Sequence, residues 1–597
     1  MVRPDHEPVT GSPASPAGDT GPASRLALAV LVAIAVLAPW AFGAVQPAAI
    51  LAMTAIALLG SSIALARGAW RSGVLLPAVP LWPLAGFLCL AALQLVPLPR
   101  SAHALLAPGS YAVWHPQDPA VAAVLGPGWR PVSLDPDTTL RGLALTGGLA
   151  LLALLAAPAL SGAGPAMRAG AAVAAGGFLL SAYAIFARAR FGPLLYGTIP
   201  VPTVSPFGPF VSKNHFAGWV AMAALLVAGL ARGLAAGDRA RGRDWAAGPR
   251  AAGVVLSLVA VFAMALAVLV SLSRGGAIAL ASGAACLAGL GLARSRSAGR
   301  SLPLSLALAG GLGLSLVALV PPEARERLHS VSGSSFRLET WRDSLRLTAS
   351  SPILGQGLGA FHDAYPRFKS GLGDMRVEHA ENDYLETLAE TGVPGLAFAV
   401  TGLGLLLVAA ARGVASAGDR TVRGLGAGAV AALVALAVHS ALDFDLRIPS
   451  NAALAALVAA VAGGAAGGPF RAIQRGAGAA LAISCVAVLL AAAALPDQPW
   501  LAARRQALAA SSSVSPDARR LRTEMAEVAL VRLLDRRPAH AESWLLLAGA
   551  RAARGDARGG ESLALHALWL DPDRVGLREA VRRLAGRASA TASPPAP

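Results

Sequence analysis

Apolar residues recur along this chain in blocks of about twenty, broken by short polar segments in which arginine predominates. Crossing ~30 Å of hydrocarbon takes about 20 apolar residues in a helix. Thirteen blocks qualify, near 25–45, 48–66, 79–97, 140–160, 169–187, 214–234, 251–271, 275–293, 302–320, 392–411, 421–440, 449–467 and 477–495. The pattern predicts an all-α polytopic membrane protein. Three interruptions are much longer than the rest: 98–139, 321–391 and everything after 496. Loops of that length between closely spaced helices carry function or a partner surface.

The chain divides accordingly into a Pro/Gly/Ser-rich tail at 1–24, read as disordered, a membrane domain at 25–495 that includes the 321–391 loop, and a charged, amphipathic segment at 496–597. Within that last segment Trp544, Leu547, Ala548, Gly555, Ala567 and Pro572 fit a tetratricopeptide-like helix–turn–helix pattern, with an ordinary helical hairpin as the plainer alternative. Such a module would be a protein-contact surface outside the membrane.

Charge fixes the expected orientation. With the N-terminus in the cytoplasm, the short inner loops hold Arg67 and Arg71, Arg168, Arg239 to Arg250, Arg294 to Arg300, Arg412 to Arg423, and Arg471 with Arg475. That is the positive-inside bias. The three long segments, the C-terminus included, then face outward. The net charge of +17 is spread through these loops and forms no nucleic-acid-binding stripe. Composition agrees: 55% of the 597 residues are hydrophobic, 14% are charged and the mean hydropathy is +0.59. Cys89, Cys286 and Cys485 sit inside apolar blocks without metal-ligand spacing, so they read as core residues and not as a metal or disulfide framework.

Polar side chains gather at the expected outer edge. Arg274 lies in SLSRGG between two spans, flanked by small residues that permit an anion to approach; snorkelling to lipid phosphates is the bland alternative. Arg337 opens a predicted amphipathic helix with Leu338, Trp341, Leu345 and, at the margin, Leu347 on its apolar side, where a solvated face is the alternative. Lys213, Asn214 and His215 start one span, with Asn214 suited to cap it. His439, Asp443, Asp445 and Arg447 mark another junction, where the carboxylates pair with arginine in the simplest reading. The stretch HAENDYLETLAETGVPG at 379–395 adds His379, Glu381, Asn382 and Tyr384 just before a span. Its second half should end a short helix and begin the span. Gathered cations suit a diphosphate, and a carboxylate or imidazole suits proton abstraction from a hydroxyl.

Five motifs in order, NHFAG at 214–218, SRGG at 273–276, the Arg-x3-Trp helix from Arg337, PILGQGLGAF at 352–361 and NDYLETLAETGVPG at 382–395, resemble the O-antigen ligase and O-antigen polymerase family of bacterial inner-membrane glycosyltransferases. The likeness covers roughly 25–467. It implies a donor glycan on undecaprenyl diphosphate, no metal and no cofactor. It also implies outward arginines, matched by Arg274 and Arg337, that hold the diphosphate, and a histidine on the large loop that activates the acceptor hydroxyl. In the family pattern that histidine immediately precedes the Asn of Asn-x-Tyr-Leu. Here Glu381 stands there and His379 lies two residues earlier, so either could be the base, or the activity could be altered. Lys213, His215, Asn382, Tyr384, Asp443 and Asp445 are the candidate substrate contacts. The acceptor would be a lipid A core for a ligase or the growing glycan for a polymerase, with a protein partner conceivable at 496–597. A lipid-linked glycan transporter and a non-catalytic scaffold are the rivals from other classes; few mid-span charges are present to suit a transporter.

Overall fold

A computed structural model describes residues 21–71, 74–77, 81–201, 205–239, 248–292, 332–467, 470–495, 499–511 and 515–591. The expected span at 302–320, and most of the tail expected to be disordered, lie outside them. Among the described residues ten helices are long and apolar enough to cross a membrane: Pro22–Trp40, Pro47–Gly68, Pro136–Leu160, Ala163–Phe191, Lys213–Gly237, Ala251–Val270, Arg274–Gly291, Asp383–Ser416, Arg420–Ser440 and Arg475–Ala493. Two expected spans are shorter. Trp82–Leu93 has 12 residues, roughly 18 Å of helix, well under the hydrocarbon thickness. It stops at Gln94, whose buried side chain turns inward to hold the loop of 352–361. Pro449–Ala465 has 17 residues. The first helix begins at Pro22, so residues 22–24, read as tail, are helical.

Lipid gives helices no hydrophobic reason to associate, and close approach of small residues takes its place. The Lys213–Arg239 and Arg420–Ser440 helices meet through Gly229 and Gly233 against Gly424 and Gly428, backbone on backbone. This contact centres a core that includes Trp219, Leu226, Leu425 and Leu433. Strands Val74–Leu76 and Arg471–Ile473 pair antiparallel, joining two loops whose arginines assign them to one side.

The three long segments share a second core. Trp114 and Leu134 from the first, Leu347, Phe361 and Tyr365 from the second, and Leu530, Trp544 and Leu563 from the C-terminal helices pack together. The C-terminal helices run Pro499–Ser511, Pro516–Leu534, Ala541–Ala553, Ala557–Leu570 and Val575–Thr591, with Trp544, Leu547, Ala548 and Ala567 buried. Ion pairs fasten them down. The Arg537 guanidinium donates to both oxygens of Asp363 at 2.8 Å and lies 3.3 Å from Asp135. Lys369 pairs with Asp571 at 3.2 Å, both largely buried, and Asp573 accepts the Leu372 and Gly373 N–H groups.

One expectation about the large loop is overturned in part: Leu347 is buried and Trp341 half-buried, but two of the expected apolar residues are not. The Ser332–Ser350 helix leaves Leu338 and Leu345 exposed and buries Thr340, Asp343, Ser344 and Leu347. Burial of that polar row is tolerable because each group is satisfied: Thr340, Ser344 and Thr348 bond back to carbonyls four residues earlier, and Asp343 accepts from Ser370.

Removing one partner of a buried pair costs about 3–5 kcal/mol. Arg537→Ala should therefore loosen the C-terminal helices, with protease cleavage within 499–591 accelerated in membranes while the spans stay protected.

Candidate active site

The site is organised by the short helix that starts the Asp383–Ser416 segment. Asn382 caps it, its Oδ1 accepting from Tyr384 N at 2.9 Å and Leu385 N at 3.1 Å, while its Nδ2 donates to the Ala441 carbonyl. Gly392, at φ 68° and ψ −176°, ends it, and the long span begins there, as the sequence suggested. The loop of 352–361 wraps this break. Gly355 (φ +66°) sits so close to the Glu390 carbonyl that a side chain would collide with it, and Gly392 stands likewise against Ile353. Gln94 clamps both layers, donating to the Leu354 and Glu390 carbonyls and accepting from Leu358 N. These glycines serve chain crossing and not phosphate cradling.

Asp383, Glu386 and Glu390 fall at spacings of three and four, on one face of that helix. All three are buried. Arg447 reaches in from the 445–447 turn, with Nε 3.2 Å from Glu386 and Nη1 2.7 Å from Glu390. Asp383 accepts from Ser440 Oγ at 2.7 Å and from Leu446 N at 3.1 Å. Sequence reading paired Arg447 with its neighbours Asp443 and Asp445; the structure pairs it with this helix instead. The carboxylates missed by sequence carried one signal, their shared helical face in DYLETLAE.

His379 stands against this cluster. Its Nδ1 is 2.9 Å from Glu386 Oε1, and its ring stacks on Phe444 with centroids 4.1 Å apart. The other Glu386 oxygen accepts from Ala380 N. Burial alone would depress the His379 pKa, but the charge and hydrogen bond of Glu386 outweigh it and raise it above the usual imidazole value. About a third of the side chain stays exposed, so the ring meets solvent.

Glu381 occupies a different niche. Its φ of +55° is uncommon for a side-chain-bearing residue, and its Oε2 lies 3.4 Å from Arg337 Nη2. Burial and then the nearby Asp443 raise its pKa, against the pull of Arg337 and His215. His215 Nε2 lies 3.3 Å from Asp443 Oδ1 and its ring meets Phe444 edge-on, so Phe444 separates His215 from His379. Burial opposes the Asp443 charge, but His215, His439 and the Phe444 N–H hold its pKa at about 2.

A third imidazole lies beneath. His439, 1% exposed, hydrogen-bonds Asp445 through Nδ1, and Asn451 bridges Asp445 to the His215 carbonyl. Gly218 presses on Asp445, and a Cβ on Gly275 would come within 3.0 Å of His439 Nε2. Gly276 abuts Ala217, so the NHFAG and SRGG motifs are in direct contact. Arg274 is exposed in the first turn of the Arg274–Leu292 helix, where Ser273 Oγ accepts from Gly276 N. Lys213 begins its own helix, and Ser212, not Asn214, accepts the early N–H there. Tyr384 donates to the Ala437 carbonyl. The structure thus gathers His379, Glu381, Arg337, His215, Asp443 and Asp445, sets the Arg274 and Lys213 helices beside each other, and engages Asn382 and Tyr384 in backbone bonds.

Among the described residues Asp135, His362 and Asp363 bring ligand atoms within 4.8 Å of one another, as a metal would require. The Arg537 guanidinium bonds all three, so an organic cation occupies that position.

Residues 259–400, which contain Arg274, Arg337, His379 and the short carboxylate helix, match the family model described as O-antigen ligase. No curated protein matches the chain.

Glu386→Gln should lower the His379 pKa, because the principal interaction raising it disappears. Histidine-selective NMR across pH 5 to 9 would show the His379 signal titrating at lower pH in the variant than in the parent protein.

Proposed function

We propose that this multi-pass membrane protein, which carries the O-antigen ligase domain, transfers a glycan from undecaprenyl diphosphate to an acceptor hydroxyl at the outer face of the inner membrane. The acceptor oxygen attacks the anomeric carbon as the bond from that carbon to the phosphate oxygen breaks. The hydroxyl proton passes to His379 Nε2, and the bonding electron pair leaves on the diphosphate. The observation that carries this reading is the His379–Glu386 pair: a carboxylate fixes Nδ1 and leaves the other nitrogen of a partly exposed ring for a substrate. Arg337 and Arg274 supply positive charge for the leaving group, the demand on which electrostatic catalysis acts most strongly. Glu381 is assigned to orienting Arg337, since the two already pair.

His439, held by Asp445 against Gly275, is assigned to positioning the turn that bears Arg274. The arginine-rich loops support an orientation with the N-terminus in the cytoplasm and the C-terminal helices in the periplasm. With guanidinium groups supplying the charge, transfer should need no metal. The same machinery serves a ligase or a polymerase, which differ in acceptor.

Transfer measured in right-side-out membrane vesicles with purified lipid-linked donor tests these roles. Arg274→Ala should lower kcat/KM about 10²–10³-fold and His379→Ala about 10²–10⁴-fold, with protein abundance unchanged; Glu381→Gln should cost far less. A Glu381→Gln loss as deep as that of His379→Ala would move the base to Glu381, and near-parental transfer by Arg274→Ala would remove the mechanism. A chelator should leave the rate unaltered. Deletion of the gene separates the acceptors: unmodified lipid core with accumulated full-length lipid-linked glycan identifies a ligase, and core bearing a single repeat unit identifies a polymerase.

A further inference from the structure

We propose that the cleft between the C-terminal helices and the large loop is the binding site for the acceptor saccharide, an inference that rests on the transferase reading above. The cleft encloses a small cavity of about 100 Å³ and opens into a wider groove. The loop supplies Lys369, Asp374 and Val377, and the C-terminal helices supply His540, Glu542 and Arg574. Neither part forms it alone. The pairs Arg537–Asp363 and Lys369–Asp571 fix the two walls relative to each other, so the cleft is preformed.

The lining chemistry selects the ligand class. Its charges come largely as pairs, Glu542 with Arg574 and Lys369 with Asp571, so the wall presents donors and acceptors with little net charge. A polyanion gains little there. A hydroxyl-rich neutral sugar, whose every OH both donates and accepts, matches it. At Asp374, Glu542 and Arg574 the cleft continues into a groove of about 440 Å³, within the range of ligand sites, beside Trp500 and Leu545, where an indole suits the C–H face of a sugar ring. The combination fits several linked sugar units better than a single small molecule.

Position ties the cleft to the chemistry. Val377 lines it, and the chain runs without helix or strand to His379, two residues and roughly 7 Å further along. A saccharide seated in the cleft can therefore present a terminal hydroxyl to the proposed base. The C-terminal helices become a wall of the acceptor site and not a separate recruitment arm.

The test uses the full-length protein in vesicles, with acceptor oligosaccharide released from the producing cells as a binding probe. Glu542→Gln and Arg574→Gln should each raise the acceptor KM at least tenfold, with donor KM and kcat within about twofold, and should abolish saturation-transfer NMR signals from the oligosaccharide. The exchanged variant, Glu542→Arg with Arg574→Glu, keeps an ion pair but inverts the donor and acceptor positions. It should remain defective; recovery would show a mere structural clamp and overturn the proposal, as would an unchanged acceptor KM in the single variants. If the parent protein binds the oligosaccharide but transfers nothing, the transferase reading fails while the site stands. If it transfers without any sensitivity at Glu542 or Arg574, the site fails while that reading stands.

Discussion

Arg447, buried among the carboxylates of Glu386 and Glu390, is the interaction on which the rest of the site depends. A lone carboxylate in so enclosed a place would shed its charge or move to solvent. With the guanidinium present, Glu386 retains an oxygen for His379, and the short helix can lie with its charged face inward. The turn that delivers Arg447 also delivers Phe444, the ring that separates two imidazoles, and Asp445, the partner of a third. One turn between two helices therefore sets the position of all three histidines.

Backbone geometry supports this arrangement from below. The glycines of 352–361 and Gly392 let two chain segments cross at van der Waals distance, while Gln94 bonds across the crossing. Gln94 ends the short Trp82–Leu93 helix, so a helix too short to span still serves the site. At the membrane side, Gly218, Gly275 and Gly276 allow three helices to close on His439 and Asp445. Small residues thus do the same work at two levels: they admit close approach where a polar network needs a rigid floor.

The large loop and the C-terminal helices share a core with the segment around Trp114, and buried ion pairs fasten the contact. Arg537 sits where Asp135, Asp363 and His362 converge. Burial would raise the Asp363 pKa, but Arg537 reverses that and holds the carboxyl well below its usual range. Three segments separated by hundreds of residues thereby form one body over the site.

Hydropathy and charge alone determined the membrane class, ten of the spans and the shared placement of the long segments, because a lipid-facing helix must be apolar along its whole length and that demand is written locally; the family likeness rests on five short motifs in order. The outer-edge motifs at 214–218, 273–276 and 379–395 were legible as well. The pairing inside them was not. Arg447 looked like a partner for the aspartates beside it, yet it reaches Glu386 and Glu390 some sixty positions earlier, since ion pairs follow spatial distance and sequence proximity says nothing of the turn's direction. Leu338 and Leu345 looked like a buried face, yet a row of hydroxyls bonded to their own helix is buried instead. Whether Glu381 or His379 is better placed as a base was a choice between neighbours in sequence. The tertiary structure gives the two different surroundings: His379 takes Glu386 as a carboxylate partner and stays partly exposed, while Glu381 turns onto Arg337.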